Sequence, residues 1–211
     1  MGRILMVSQD RPAEDVLCGA ERVLASGGVV VMPTDSVYGI GCAATKGNPA
    51  HGRIFEIKQR DRAQTLPWLI ADADDVEHLA KGVTRQALRL ADGLWPGALT
   101  LVVRASAEVP SEYVASDGTI AVRVPDSTLV RELARRVGPL ATTSANTHGR
   151  EAATSGASIE GRIADAADLV LDAGPAPLAQ ASTIVACTGA GIRILREGAI
   201  GARRIEELAG A

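Results

Sequence analysis

Residues 29–60, VVVMPTDSVYGIGCAATKGNPAHGRIFEIKQR, constrain the fold more than any other stretch of this chain. Val29, Val30, Val31 and Met32 form an apolar run that reads as a buried strand. It leads into residues 33–41, expected to be a loop of small and hydroxyl side chains whose glycines let backbone approach a ligand closely. The helix that follows carries Lys58 and Arg60 near its C-terminal end. Cations there suit the helix dipole as solvated caps, and they are also free to project toward a bound anion. The stretch alone supports both readings.

The flanking sequence alternates strand and helix signals. Ile4 to Val7 reads as an edge strand, and a helix is expected from Pro12 to about Ser26, ended by Gly27 and Gly28. A strand is expected at Leu66 to Ile70, then a helix start at Asp72, Asp74 and Asp75, where clustered carboxylates are more often caps than metal ligands. Val83 to Gly93 should be a helix and Leu99 to Val103 a strand. From Ile120 to Val124, apolar Ile120, Val122 and Val124 alternate with Ala121 and Arg123, so Arg123 lies on one face only. Spacing alone makes it an exposed or salt-bridged strand arginine. A helix at Thr128 to Val137 precedes a short strand, Leu140 to Thr142, which ends in the polar run Thr143-Ser144-Ala145-Asn146. Such a run is either an ordinary turn or a ligand site at a strand's carboxyl end. A helix at Ser158 to Ala167 and a strand at Leu169 to Asp172 follow. A hairpin of Ser182 to Ala186 with Ile192 to Leu195, turning at Thr188-Gly189-Ala190-Gly191, and a tail helix from Arg203 to Ala209 complete the chain. With no repeat and no low-complexity linker, residues 1–211 read as one α/β domain.

Composition removes several classes of function. A net charge of −3 argues against affinity from a generally basic surface, and 2% aromatic residues argue against RNA binding by base stacking. Cys18, Cys42 and Cys187 are too far apart for a zinc or disulfide framework and read as small hydrophobes in a reducing cytosol. No apolar stretch has the length of a membrane span, so the expected location is cytoplasmic. His51, His78 and His148 lack a nucleophile setting and are expected at the surface. There is no Walker-type phosphate loop and no dinucleotide fingerprint. What remains is a set of cations, Lys58, Arg60, Arg123 and Arg196, with Thr34, Ser36, Thr119, Ser144, Asn146 and Ser182. Phosphoryl or nucleotidyl transfer suits that inventory, because positioning and charge stabilisation do most of its catalysis.

Four stretches resemble the YrdC-like family in its order: PTDSVYGIGC at 33–42 with IFEIKQR at 54–60; WPGALTLVV at 95–103; TIAVRVPD at 119–126; and TSAN at 143–146, followed by STIV at 182–185 and LREGAI at 195–200. The resemblance implies a twisted mixed β-sheet with flanking helices and a concave ligand groove. It implies synthesis of threonylcarbamoyl-AMP and pyrophosphate from L-threonine, bicarbonate or carbon dioxide, and ATP with Mg2+. A separate tRNA threonylcarbamoyl transferase would then modify the adenosine next to the anticodon, giving t6A; a weak RNA contact is left open. By matching position, Lys58, Arg60, Ser144 and Asn146 are assigned to the phosphates and reacting centre, with Gln64, Thr119 and Arg196 as further ATP contacts. Thr34, Ser36, Arg123, Thr142 and Ser182 are assigned to threonine, Arg123 to its carboxylate. No residue is assigned to metal. The chain resembles the short bacterial type, without the extra C-terminal domain of longer relatives.

Some positions depart from the family pattern. Gln59 stands where K-G-R is common, Gln64 where Asn or Lys is frequent, and Pro67 and Trp68 break a K-P-L-like segment. Two alternatives to the synthase therefore stay open: a divergent paralogue that binds RNA or another nucleotide, and a carbamoyl-adenylate-forming enzyme of another pathway.

Overall fold

A computed structural model of the chain describes residues 3–62 and 64–210. Its strands are β1 (Arg3–Met6), β2 (Val30–Met32), β3 (Gly39–Ala43), β4 (Trp68–Leu69), β5 (Leu99–Arg104), β6 (Thr119–Arg123), β7 (Leu140–Ser144), β8 (Leu169–Asp172), β9 (Thr183–Ala186) and β10 (Arg193–Arg196). They form one mixed sheet of ten strands in the order β1-β8-β2-β3-β7-β4-β6-β5-β9-β10. The helices are α1 (Glu14–Ala25), α2 (Pro49–Lys58), α3 (Val76–Leu79), α4 (Arg85–Leu94), α5 (Thr128–Val137), α6 (Gly161–Ala166) and α7 (Ala202–Gly210). The α/β architecture is the expected one.

The two faces of the sheet are covered unequally. On one face α2, α4, α6 and α7 bury Ile54, Phe55, Leu90, Ile163 and Ile205 against Ile40, Trp68, Leu101, Ile120, Val122 and Val185. On the other, α1 and α5 bury Leu17, Leu24, Leu129 and Leu133 against Val30, Met32, Leu69, Leu140 and Leu171. No residue of β5, β6, β9 or β10 belongs to that second cluster among the described residues. Each large side chain buried in these clusters contributes about 1.5–3 kcal/mol, so the helices fix the sheet where they cover it and leave the rest of one face free.

The strand alternation decides what that free face carries. Leu101 pairs with Val122 and points toward the larger core, while Val102 pairs with Ala121 on the open side. Thr100 pairs with Ile184 there, and Leu69 lies opposite Arg123. Arg123 therefore does occupy the face opposite Ile120 and Val122, as its spacing implies.

Three expectations need correction. Residues 39–41 are not loop: Gly39, Ile40 and Gly41 pair antiparallel with both β2 and β7. A Cβ at Gly41 would lie 2.6 Å from Thr142 Oγ1, and one at Gly39 would lie 2.7 Å from Thr142 Cγ2. These glycines make room for a neighbouring strand's side chain, which outweighs the low strand propensity of glycine. The strand expected at Leu66 to Ile70 shrinks to Trp68–Leu69, because Pro67 has no N–H for the ladder. His51 is half-buried rather than free at the surface: its ring packs 5.2 Å from Phe55 and 4.5 Å from Tyr113, centroid to centroid.

Candidate active site

A cavity of about 520 Å³ lies on the open face, walled by β4, β5, β6, β7 and β9 and by residues from the loop after β2. Its volume is within the range of small-molecule sites. Four arginines line it, Arg60, Arg123, Arg150 and Arg196, and no Asp or Glu does among the described residues. Such a wall favours anions.

One cationic pole is built at the end of α2. Asn48 caps the helix by accepting from the Ala50 N–H at 2.9 Å, and Pro49 opens it. At the other end Gln59 takes a left-handed φ of 52°, and the Arg60 N–H returns to the Phe55 carbonyl at 2.9 Å. This single left-handed residue sends Lys58 and Arg60 to different places. Arg60 reaches the cavity, donating from Nη1 to Thr143 Oγ1 at 3.0 Å, while its Nε is buried without a partner.

Lys58 does not project into the groove as its helix-end position suggests. It is 2% exposed, and its Nζ donates to the carbonyls of Ser144 at 2.5 Å and Asn146 at 2.6 Å, with Asn146 Oδ1 at 3.4 Å. An ammonium has three N–H groups, and these acceptors take all of them. Burial, helped by the neighbouring Arg60 charge, lowers the Lys58 pKa to about 8. Asn146 is similarly engaged: its Nδ2 donates to Thr147 O at 2.9 Å and Arg150 O at 2.8 Å. Lys58 and Asn146 thus hold the main chain from Ser144 to Arg150 in place.

The second pole centres on Arg123, which is 5% exposed. Its Nε donates to Gly97 O at 2.8 Å, Nη1 to Ser36 Oγ at 2.7 Å and Nη2 to Asp35 Oδ1 at 2.5 Å. Asp35 also accepts from the Asp126 N–H at 3.2 Å, leaving its Oδ2 buried and unpartnered. Burial pushes the Arg123 pKa down and the Asp35 charge opposes that shift. A guanidinium has five N–H groups, so two stay available to a ligand. Thr34 shapes the turn beside it, donating to Val37 O at 2.6 Å and sharing a 3.0 Å bond with Ser36. Nearby, Ser182 Oγ lies 2.9 Å from Thr100 Oγ1, and Arg196 Nη2 donates to Ser182 O at 2.8 Å.

Nine of the twelve residues expected from the sequence line the cavity: Thr34, Ser36, Arg60, Arg123, Thr142, Ser144, Asn146, Ser182 and Arg196. Lys58, Gln64 and Thr119 do not. Gln64 is exposed, and Thr119 donates from Oγ1 to Asp117 Oδ1 at 2.6 Å. Sequence reading missed Asp35, whose only signal is its place between Thr34 and Ser36, and Arg150, which has no signal in any local pattern. The donors do not fit a protein-held Mg2+, since no lining side chain is a carboxylate and no cluster of three or more His, Cys, Asp or Glu occurs among the described residues.

The fold and site together define an α/β protein with an arginine-walled anion site on the open face of its sheet. The Sua5_yciO_yrdC family model, described as "Telomere recombination", matches residues 22–198, and the chain belongs to this family. It is 34% identical over 194 residues to a protein of Mycobacterium tuberculosis, covering 92% of this chain and 89% of the other. It is 34% identical over 197 residues to a Bacillus subtilis protein named threonylcarbamoyl-AMP synthase, covering 90% of this chain and 56% of that one. The crystal structure of P. abyssi Sua5 complexed with L-threonine superposes with a TM-score of 0.91 at 32% identity, covering 98% of this chain and 61% of that chain. The chain thus spans little more than half the length of these last two relatives.

Proposed function

We propose that this chain is a threonylcarbamoyl-AMP synthase, converting L-threonine, bicarbonate or carbon dioxide, and ATP with its Mg2+ into threonylcarbamoyl-AMP and pyrophosphate. The observation that carries this reading is one cavity with no Asp or Glu among its described lining residues and with two arginine poles, around Arg60 and around Arg123. A reaction that joins a carboxylate-bearing amino acid to a nucleotide needs both.

Arg123 meets the threonine carboxylate with its two remaining N–H groups, held at the right angle by Asp35, Ser36 and Gly97. Thr34, Ser36, Thr142 and Ser182 supply hydroxyls around the amino acid. The threonine ammonium first gives up a proton to solvent. The free amine attacks the carbon of CO2 so that a C–N bond forms as one C–O π bond opens to carboxylate, and a second proton leaves the nitrogen, giving an N-carboxylate. An oxygen of that carboxylate then attacks the α-phosphorus in line, a new P–O bond forms, and the bond to the β-phosphate oxygen breaks to release pyrophosphate. Arg60, Ser144 and Arg196, which line the cavity, stabilise charge on the phosphate oxygens. Lys58 and Asn146 act through the Ser144–Arg150 main chain rather than by touching phosphate. Magnesium enters bound to ATP, as part of the substrate.

On this reading the product passes to a tRNA threonylcarbamoyl transferase for t6A formation, and the proposed location is the cytoplasm. No helix among the described residues is long and apolar enough to cross a membrane.

Pyrophosphate release by the purified protein tests the proposal, with L-threonine supplied, omitted or replaced by serine, and with bicarbonate supplied or removed. Release that requires threonine and bicarbonate is expected. No release from folded, ATP-binding protein would overturn the assignment in favour of a divergent paralogue.

A further inference from the structure

Three of the cavity's four arginines are already anchored by protein acceptors: Arg60 by Thr143, Arg123 by Asp35, Ser36 and Gly97, and Arg196 by Ser182. Arg150 differs. It lines the same cavity, yet its side chain is 72% exposed, and its nearest charge partner is Glu160 Oε2, at 3.7 Å. That is well beyond the 2.7–2.9 Å of a charge-assisted hydrogen bond, and an exposed pair at such a distance is weak.

The backbone that carries this arginine is fixed. Thr147 donates to Glu160 from its N–H and its hydroxyl, at 2.8 Å each. Asn146 Nδ2 donates to the Arg150 carbonyl, and the Arg150 N–H returns to Thr147 O at 3.0 Å. Anchored main chain with an unanchored guanidinium gives a cation that can swing without unfolding its loop. Losing Arg150 would also leave Glu160 satisfied, because the two Thr147 donors remain.

We propose that Arg150 is a phosphate-binding residue that leaves Glu160 when a polyphosphate enters and closes over the Arg60 end of the cavity. The placement at that end follows from the loop: Asn146 binds both the Arg150 carbonyl and, through Lys58, the end of the helix that precedes Arg60. A largely exposed arginine whose only ion pair among the described residues is the long one to Glu160 is suited to the distal phosphates, where charge is greatest and geometry varies most. The inference rests on reading the cavity as an ATP site, and it adds to that reading a nucleotide contact peculiar to this loop.

The test uses Arg150→Ala and Arg150→Lys in the full chain, with two readouts. In the pyrophosphate assay, Arg150→Ala is expected to raise KM for MgATP about tenfold, the loss of one charge-assisted contact, while KM for threonine and the melting temperature stay unchanged. Arg150→Lys should restore part of the loss, since it keeps the charge without the fork. Inorganic tripolyphosphate binding by calorimetry should weaken in parallel. An active wild type whose Arg150→Ala variant keeps KM for MgATP within about twofold would overturn the clamp and leave the synthase standing. An inactive wild type that binds tripolyphosphate through Arg150 would support the clamp while sinking the synthase. Equal tripolyphosphate affinity in wild type and Arg150→Ala, or no binding by either, would overturn the clamp.

Discussion

Replacing Lys58 with methionine keeps an unbranched side chain of similar length and deletes only the ammonium. Because Lys58 is 2% exposed and its Nζ serves the carbonyls of Ser144 and Asn146, the substitution takes a partner from two acceptors in the interior. The Asn146 carbonyl is then left without a partner, at about 1–3 kcal/mol, while the Ser144 carbonyl keeps the Asn146 N–H at 3.0 Å; relief from burying a charge offsets part of the cost, so a net loss of about 1–2 kcal/mol is expected. For a chain of this size that lowers Tm by about 2–8 °C. Urea unfolding measures the loss directly, and a pH series adds a signature that a packing defect would lack. The folded-state pKa of about 8 lies below the ordinary lysine value. As pH rises through it toward that ordinary value, the unfolded chain holds more protons than the folded one, and the Lys58 contribution to stability increases. The advantage of wild type over Lys58→Met should therefore be smallest below about pH 7.5 and grow by about pH 9.5. If Lys58→Met unfolds within about 0.5 kcal/mol of wild type and only KM for ATP changes, Lys58 is an exposed phosphate ligand and the buried-pin account is wrong.

Three further substitutions probe other parts of the structure. Gly41→Ala should destabilise the protein by about 2 kcal/mol or more, seen in urea unfolding, because the new Cβ would sit 2.6 Å from Thr142 Oγ1 and 2.9 Å from the Ala141 carbonyl; unchanged stability would mean that β3 and β7 separate at little cost. Gln59→Gly should raise stability by about 0.5–1 kcal/mol with activity unaltered, since position 59 holds φ 52°, a conformation that glycine adopts without penalty; a loss would show that the Gln59 side chain makes a compensating contact. Arg123→Lys should raise KM for threonine at least about tenfold, because an ammonium cannot serve Gly97, Ser36, Asp35 and a bidentate carboxylate together. An unaltered threonine constant would remove Arg123 from the amino-acid pole.

Much of the fold was legible locally. The period-two pattern of Ile120, Val122 and Val124 put Arg123 on the opposite face, and the Thr128 to Val137 helix matches α5 end for end. The glycines of the Thr188-Gly189-Ala190-Gly191 turn marked the β9–β10 hairpin in outline. The glycines of β3 misled because glycine disfavours strands, whereas their purpose is set by Thr142, far along the chain.

The sequence by itself determined which residue types are present for the chemistry, which face of each strand they occupy, and that the chain is an α/β protein. Only the tertiary structure decided which of those residues share a cavity. Lys58 and Arg60 are near neighbours and chemically alike, yet one left-handed residue between them puts the first under the loop and the second in the site. Arg123 is separated from Asp35 by 88 positions, and nothing in its own strand shows that the arginine's charge will be compensated. The reason is physical: side-chain direction along an element follows from local periodicity, but burial, charge pairing and the emptiness of a sheet face depend on which elements pack beside it.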